Sequence, residues 1–309
     1  MKKIAISIGD LNGIGIQLAL ENHQTIKTII EPLYCIDEVM LKQASALLNI
    51  SIPNDFKIVN KIAKKFTIKP AQVTKESGVY SFASFLKAVE LSKLMEVDGI
   101  MTLPIHKKAW ELAGVDFKGH TDALREFFFA PAIMMLGSPK MYVALYTEHI
   151  PLHQVSEEVK DVQKLSEFLI DFYEEIAKEL KENEQIGLLG LNPHAGDDGV
   201  LGDEEVHINE ARDLAHKSIG KEVYTKPLVP DVAFTPNSRK KHHYFVAMYH
   251  DQGLAPLKAL YFDEGINISL NLPIIRTSVD HGTAFDIAYK NAKLNNLSYL
   301  NAIDYLATT

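Results

Sequence analysis

The chain has 309 residues, 47% of them hydrophobic and 23% charged, with a net charge of -8 at pH 7. This is an ordinary globular composition with material for about two domains. The absence of a basic run argues against nucleic acid as a partner, and no apolar stretch approaches the ~18 residues of a membrane span. A single cysteine, Cys35, excludes an intramolecular disulfide framework.

The N-terminal run KIAISI reads as a first strand. It lacks the length and the small-residue cleavage site of a signal peptide, so a cytoplasmic protein is expected. The strand leads into Gly9-Asp10-Leu11-Asn12-Gly13-Ile14-Gly15, a glycine-rich turn where Asp10 or Asn12 could cap the helix that follows or meet a ligand. The spacing is not GxGxxG, so a Rossmann nucleotide site is not supported here. LYCI reads as a buried strand with an inert core thiol. Residues 77–96 place Val79, Phe82, Leu86, Val89 and Lys93 or Leu94 at helical spacing. DGIMTL, AIMML, MYVALY, IGLLGL, YFVAMY and INISL are further strand candidates. The near-alternation of INISLNLP points to an antiparallel one. Residues 156–182 read as a helix opened by Ser156 as N-cap with Glu157 and Glu158 in the first turn. Its apolar face holds Val159, Val162, Leu165, Phe168 and Leu169. Residues 203–219 and 283–292 also read as helical. Strands alternating with helices argue for an α/β fold with a largely parallel sheet.

Three histidines follow strand-like runs: His149 after MYVALY, His194 after IGLLGL and His250 after YFVAMY. In open α/β sheets the C-terminal edge of the strands is where ligands bind. Three imidazoles converging there would make a divalent-metal site with open positions. Their wide separation in sequence makes convergence a matter of the fold. Taken singly, each could be an ordinary surface or core histidine.

Gly119-His120-Thr121-Asp122 precedes a helical pattern over 122–129. Thr121 is placed to cap it, and a helix N-terminus beside a histidine and a hydroxyl is a natural anion site. Downstream of His250 lie Lys258, Asn267 and Arg276. Arg276 emerges from an apolar segment and suits a carboxylate or phosphate. As a trio beside a metal they suggest a small anionic substrate, although each could be a structural or surface residue. Asp280-His281-Gly282-Thr283-Ala284-Phe285-Asp286-Ile287-Ala288 reads as a turn opening a helix, with Thr283 as cap. The turn could accept an adenine or a ribose.

Together GDLNGIG, LPIHK, GHTD, EHIPL, LNPHAGDDG, MYHDQGLAPLK and GINISLNLPIIRTSVDHGTAFDIA resemble, in order and over nearly the whole chain, the 4-hydroxythreonine-4-phosphate dehydrogenase (PdxA) family of pyridoxal phosphate biosynthesis. DHGTAFDIA also looks like the adenine loop of isocitrate and isopropylmalate dehydrogenases, whose fold the family shares. Leu11, Ile16 and Gln17 stand where the family usually has Pro, Pro and Glu, and Leu103 where a small residue is common.

The resemblance implies a two-lobed, isocitrate/isopropylmalate dehydrogenase-like α/β fold with mixed sheets and a cleft between the lobes. Residues 1–127 plus 291–309 are expected in the first lobe. Residues 128–290, carrying the metal and dimer-interface motifs, are expected in the second. It implies His149, His194 and His250 as metal ligands, and His120, Thr121, Lys258, Asn267 and Arg276 as substrate contacts. His281, Gly282, Thr283 and Ala284 would contact the cofactor. Lys107 and Asp251 are candidates for proton transfer, each open to a structural or orienting role. The expected cofactors are NAD or NADP and one divalent ion, zinc, cobalt or magnesium. Three imidazoles suit zinc, cobalt or iron, whereas magnesium normally wants carboxylates. The expected reaction is oxidation of 4-phosphohydroxy-L-threonine at its 3-hydroxyl with decarboxylation to 3-amino-2-oxopropyl phosphate, by a homodimer whose active site lies at the subunit interface. A dehydrogenase of another diol or hydroxy acid, or a metal hydrolase, would be the alternatives.

Overall fold

The computed structural model describes residues 1–309. The chain divides into two compact units, Met1–Ala130 with Ile266–Thr309, and Pro131–Gly265.

The first unit opens with β1 (Lys3–Ser7), α1 (Gly15–Ile26), β2 (Glu31–Cys35), α2 (Glu38–Leu48), α3 (Lys75–Lys93), β3 (Gly99–Thr102), α4 (Lys107–Leu112) and α5 (His120–Phe128). The second holds β4 (Ile133–Ser138), β5 (Met141–Leu145), α6 (Val155–Lys160), α7 (Val162–Ile176), β6 (Gly187–Leu188), α8 (Glu204–Ile219), α9 (Pro236–Arg239), β7 (Tyr244–Ala247) and α10 (His250–Tyr261). The chain returns to the first unit with β8 (Ile266–Leu270), β9 (Ile275–Val279) and α11 (Leu297–Thr308).

In the first unit the strands run in the order β2-β1-β3-β9-β8. The first four are parallel, and β8 is antiparallel to β9, as the alternation of INISLNLP predicts. The parallel strands are almost wholly buried because both faces are covered. Phe85, Ala88 and Val89 of α3 pack with Ala5, Ile100 and Trp110, while Tyr299, Ile303 and Leu306 of α11 are buried as well. Cys35 lies in this core, where burial pushes its thiol up to about 12. In the second unit the order is β4-β5-β7-β6, with β4 antiparallel to β5 and the other pairs parallel. Leu254 and Leu257 of α10 join Val143, Leu145, Phe245 and Ala247 in its core.

Several sequence expectations need correction. The assignment of 266–290 to the second lobe fails because β9 pairs with β3, which draws this segment into the first unit. The segment 283–292 forms turns, not a helix, with Ala284, Tyr289 and Asn291 at positive φ. The helix expected over 156–182 is two helices, broken at Asp161, whose carboxylate caps α7 by accepting from Lys164 N at 3.1 Å. Ser156 caps nothing and donates instead to Glu204. Helix α3 turns inward only part of the face that the spacing marks, with Val89 buried and Phe82 packed against the core. Val79 and Leu86 are exposed, while Ser77, Tyr80, Ser81, Ser84 and Phe85 are buried. The small serines let α3 approach the sheet closely, with Ser84 Oγ donating to Cys35 O at 2.7 Å and accepting from Ile8 N at 2.9 Å. Thr121 is not the cap of its helix. Gly119 takes that position and Thr121 lies inside the first turn. Neither Asp10 nor Asn12 caps α1, whose N-cap is Ile14.

Candidate active site

In the first unit Arg276 of β9 is 3% exposed. Register puts it beside Ile100 of β3 and Ser269 of β8. Its Nε and Nη2 donate to Thr102 Oγ1 at 2.9 and 2.6 Å. Its Nη1 donates to Asn267 Oδ1 at 3.3 Å and Ser269 Oγ at 3.4 Å. Nη2 also donates to His120 Nδ1 at 3.1 Å. Thr121 Oγ1 lies 3.2 Å from Ser269 Oγ. Four of the five expected substrate contacts, His120, Thr121, Asn267 and Arg276, thus form one cluster. Thr102 and Ser269 complete it, and sequence reading missed both. Thr102 ends a strand at the edge where ligands bind, which is the signal that could have found it.

No carboxylate pairs with this guanidinium. Burial pushes its pKa down to about 9, because removing a cation from water without a counter-charge disfavours the charged form. Neutral oxygens and one imidazole satisfy the N–H groups in part, and a bound anion would supply the missing charge. The Arg276 bond also fixes the state of His120. A ring nitrogen that accepts must be bare, so the proton of the neutral ring sits on Nε2. Burial, and then the Arg276 charge, holds the His120 pKa well below its ordinary value. Phe85 and Trp110 meet the ring edge-on, at centroid distances of 4.8 and 5.2 Å. Its Nε2 is buried with no partner, leaving a neutral donor next to a cation.

In the second unit the three histidines follow β5, β6 and β7, which are parallel and in the order β5-β7-β6. All three therefore leave the same C-terminal edge. His149 and His250 are neighbours, with ring centroids 5.7 Å apart. His250 Nδ1 lies 2.7 Å from Asp251 Oδ1, a contact that orients the ring and leaves Nε2 for a ligand. His194 does not join them: no group of three or more His, Cys, Asp or Glu in this chain is poised to hold a metal ion. His194, Ala195, Asp197 and Asp198 all have positive φ. Non-glycine residues adopt that conformation only when their surroundings enforce it. The anchor is Glu205, 7% exposed, whose carboxylate accepts from Leu191 N at 2.8 Å and Asn192 N at 2.7 Å. A Cβ on Gly196 would lie 2.6 Å from Glu205 Oε2, so only glycine fits there. Glu205 was also missed in the sequence, where it reads as one acid in the first turn of a surface helix.

Of the other candidates, Lys258 is half-buried on α10 in the second unit, with Nζ 5.9 Å from the Phe262 ring centroid. Asp251 is exposed and faces His250. Lys107 is exposed at the start of α4. The 281–284 segment packs on the first glycine loop. Ile14 N donates to Thr283 O at 3.1 Å, and a Cβ on Gly13 would meet Thr283 at 2.8 Å. His281 Nε2 is buried with no partner.

Fold and site thus define an α/β protein with a buried guanidinium held by neutral partners and three imidazoles leaving one strand edge. The chain belongs to the family described as pyridoxal phosphate biosynthetic protein PdxA, whose sequence profile matches residues 28–306. A 4-hydroxythreonine-4-phosphate dehydrogenase of Sulfurimonas denitrificans is 56% identical over 301 residues, 97% of this chain and 95% of that protein. One from Helicobacter pylori is 47% identical over 315 residues, covering 99% of each. The crystal structure of a 4-hydroxythreonine-4-phosphate dehydrogenase from Klebsiella pneumoniae superposes with a TM-score of 0.84 at 28% identity over the full length of both chains. A terephthalate 1,2-cis-dihydrodiol dehydrogenase from Burkholderia xenovorans, at TM-score 0.69 and 22% identity over 99% of this chain and 98% of that one, shares the fold.

Proposed function

We propose that the protein oxidises the 3-hydroxyl of 4-phosphohydroxy-L-threonine with NAD or NADP. The product is a β-keto acid that loses CO2 to give 3-amino-2-oxopropyl phosphate. The observation that carries this reading is Arg276, a buried guanidinium with neutral partners and no carboxylate, in a family whose named members are 4-hydroxythreonine-4-phosphate dehydrogenases.

In this reading Arg276 and Asn267, with His120 and Thr121, hold the anionic end of the substrate. Arg276 contributes the charge, and neutral His120 donates through Nε2. Charge-assisted hydrogen bonds of this kind fix orientation as well as affinity. Lys258 would supply a second cation.

His149, His194 and His250 fit a divalent zinc, cobalt or magnesium ion in donor type, most readily zinc or cobalt, and two of them are already adjacent. When bound, such an ion supplies Lewis-acid stabilisation of a developing oxyanion. Asp251 holds the ring of His250, and Glu205 holds the backbone that carries His194. Lys107 and Asp251 remain the candidates for proton transfer. His281, Gly282, Thr283 and Ala284 would hold the dinucleotide, which when bound would supply the hydride acceptor. The two unpartnered imidazole nitrogens in that part of the first unit, on His106 and His281, support this placement.

The reading also carries a cytoplasmic homodimer whose active site draws residues from both subunits. No helix of the chain is long and apolar enough to cross a membrane.

The test is spectrophotometric. Purified protein with a divalent metal and NAD or NADP should form reduced cofactor from 4-phosphohydroxy-L-threonine and release CO2. No reduced cofactor with either nucleotide, across zinc, cobalt and magnesium, would reject the proposal.

A further inference from the structure

Strands β1, β3 and β9 lie side by side and parallel. The loops leaving their C-terminal ends, residues 8–14, 103–106 and 280–285, therefore share one edge. They are locked together. Asp10 N donates to Pro104 O at 2.9 Å, and Ile14 N donates to Thr283 O at 3.1 Å. Phe285 stacks on His106, with centroids 5.0 Å apart and planes 25° from parallel. Beneath them Asp10 is fully buried, accepting from Asn12 N at 2.9 Å and Ser77 Oγ at 3.0 Å. Burial raises its pKa, against those hydrogen bonds.

Two polar atoms at this edge are left over. His281 Nδ1 donates to Gly282 O at 3.1 Å, and its Nε2 is buried and unpaired. His106 Nδ1 is likewise buried with no partner. Buried polar groups in native proteins are almost always paired, and one that is not calls for a missing ligand or another stated cause. His106 lies four residues beyond Thr102, the residue that holds Arg276, and its ring stacks on the cofactor segment. It therefore follows β3, the strand whose last residue holds Arg276, and so joins the cofactor segment to the strand that positions the substrate anchor. Hydride transfer puts the nicotinamide, not the adenine, beside the substrate.

We propose that His106 is a cofactor-binding residue whose Nδ1 bonds the nicotinamide riboside half of the dinucleotide. This rests on the NAD(P)-dependent reading above.

The experiment is titration calorimetry of the full-length protein with NAD and, separately, with ADP, for wild type, His106→Asn and His106→Gln. An Asn amide nitrogen falls where Nδ1 lies, and a Gln amide nitrogen falls nearer Nε2. Both variants are polar and keep a hydrogen-bonding group on the loop. His106→Asn should stay within about 3-fold of wild type for NAD, and His106→Gln should weaken NAD by about 10-fold or more, as expected for one lost hydrogen bond to a buried group. ADP, which lacks the nicotinamide half, should bind all three alike. Equal NAD affinity for Asn and Gln variants would overturn the proposal, as would parallel weakening of NAD and ADP. If wild type prefers NADP, the same titrations are run with NADP and 2′,5′-ADP and carry the same outcomes; if it bound neither nucleotide, the failure would belong to the dehydrogenase reading itself.

Discussion

The anion anchor in the first unit and the histidine edge in the second are built by opposite strategies. Arg276 is buried and held by Thr102, Asn267, Ser269 and His120 from three different segments. His149 and His250 are part-exposed, and His194 stands apart on a left-handed turn. A guanidinium with five fixed donors can be preorganised by neutral partners while it waits for an anion. Imidazoles offer one another no comparable donor–acceptor network, and in the proposed function a bound ion would draw the three together. In the proposed function the first unit therefore carries a finished anchor, and the second a scaffold that a ligand would complete.

The largest expected effect follows from breaking the finished side. Arg276→Ala strips Thr102, Asn267 and His120 of their shared donor. It should raise KM and lower kcat/KM by about 2–5 kcal/mol, the range for a buried charge interaction that loses one partner. Arg276→Lys should recover only part of this, since an ammonium cannot reproduce the fork. Steady-state kinetics on both variants checks the order.

The scaffold side should respond to metal. A divalent ion at a hundred times its Kd should stabilise the native state by about 2.7 kcal/mol, visible as a raised melting temperature. His194→Ala should lose most of that gain along with turnover. An unchanged metal-induced shift in this variant would remove His194 from the ligand set.

A subtler lesion sharpens the contrast. Glu205→Gln keeps the shape of the anchor under the His194 turn but removes the charge that holds Leu191 N and Asn192 N. Metal affinity should fall about 10–100-fold, the usual consequence of disturbing a group that orients ligands. Binding of the substrate's phosphate end should be unaffected. Metal titrations of wild type and variant, read by calorimetry, separate the two.

The smallest effect is a pH dependence. His120 in the folded protein has a pKa well below its ordinary value of 6.5. Below that ordinary value the unfolded chain takes up a proton that the native protein refuses. The stability from a neutral His120 is therefore fully present above about pH 6.5 and is lost as the pH falls toward the folded pKa, by at most about 1.4 kcal/mol per pH unit. Urea unfolding of wild type and His120→Gln between pH 7 and about 5 should show a steeper loss in wild type. Parallel curves would mean that His120 is protonated in the native state.

How much of this was legible in the sequence differs between the two regions. Short apolar runs, each followed within three residues by a histidine, marked the strands and placed all three imidazoles at one edge, because strands buried on both faces tend to be near-continuous apolar runs. Arg276 was visible as a cation emerging from such a run. What surrounds it was not, because Thr102 and Ser269 come from strands that pair only in three dimensions. Glu205 was hidden for a similar reason: its bonds run back to a turn about a dozen residues earlier, and the left-handed run over 194–198 has no sequence signature apart from Gly196. The helix expected over 283–292 failed because the packing of Thr283 on the first glycine loop, with positive φ at Ala284 and Tyr289, outweighs local helical spacing. The misread face of α3 has the same origin. Serines allow close approach to the sheet, so burial there follows fit and not hydrophobicity.

The central claim is that the anion anchor is complete before any metal binds. Calorimetric titration of 4-phosphohydroxy-L-threonine into chelator-treated, metal-free protein tests it most directly. The account predicts saturable binding that Arg276→Ala abolishes. Binding that appears only after metal is restored, and that survives Arg276→Ala, would contradict it.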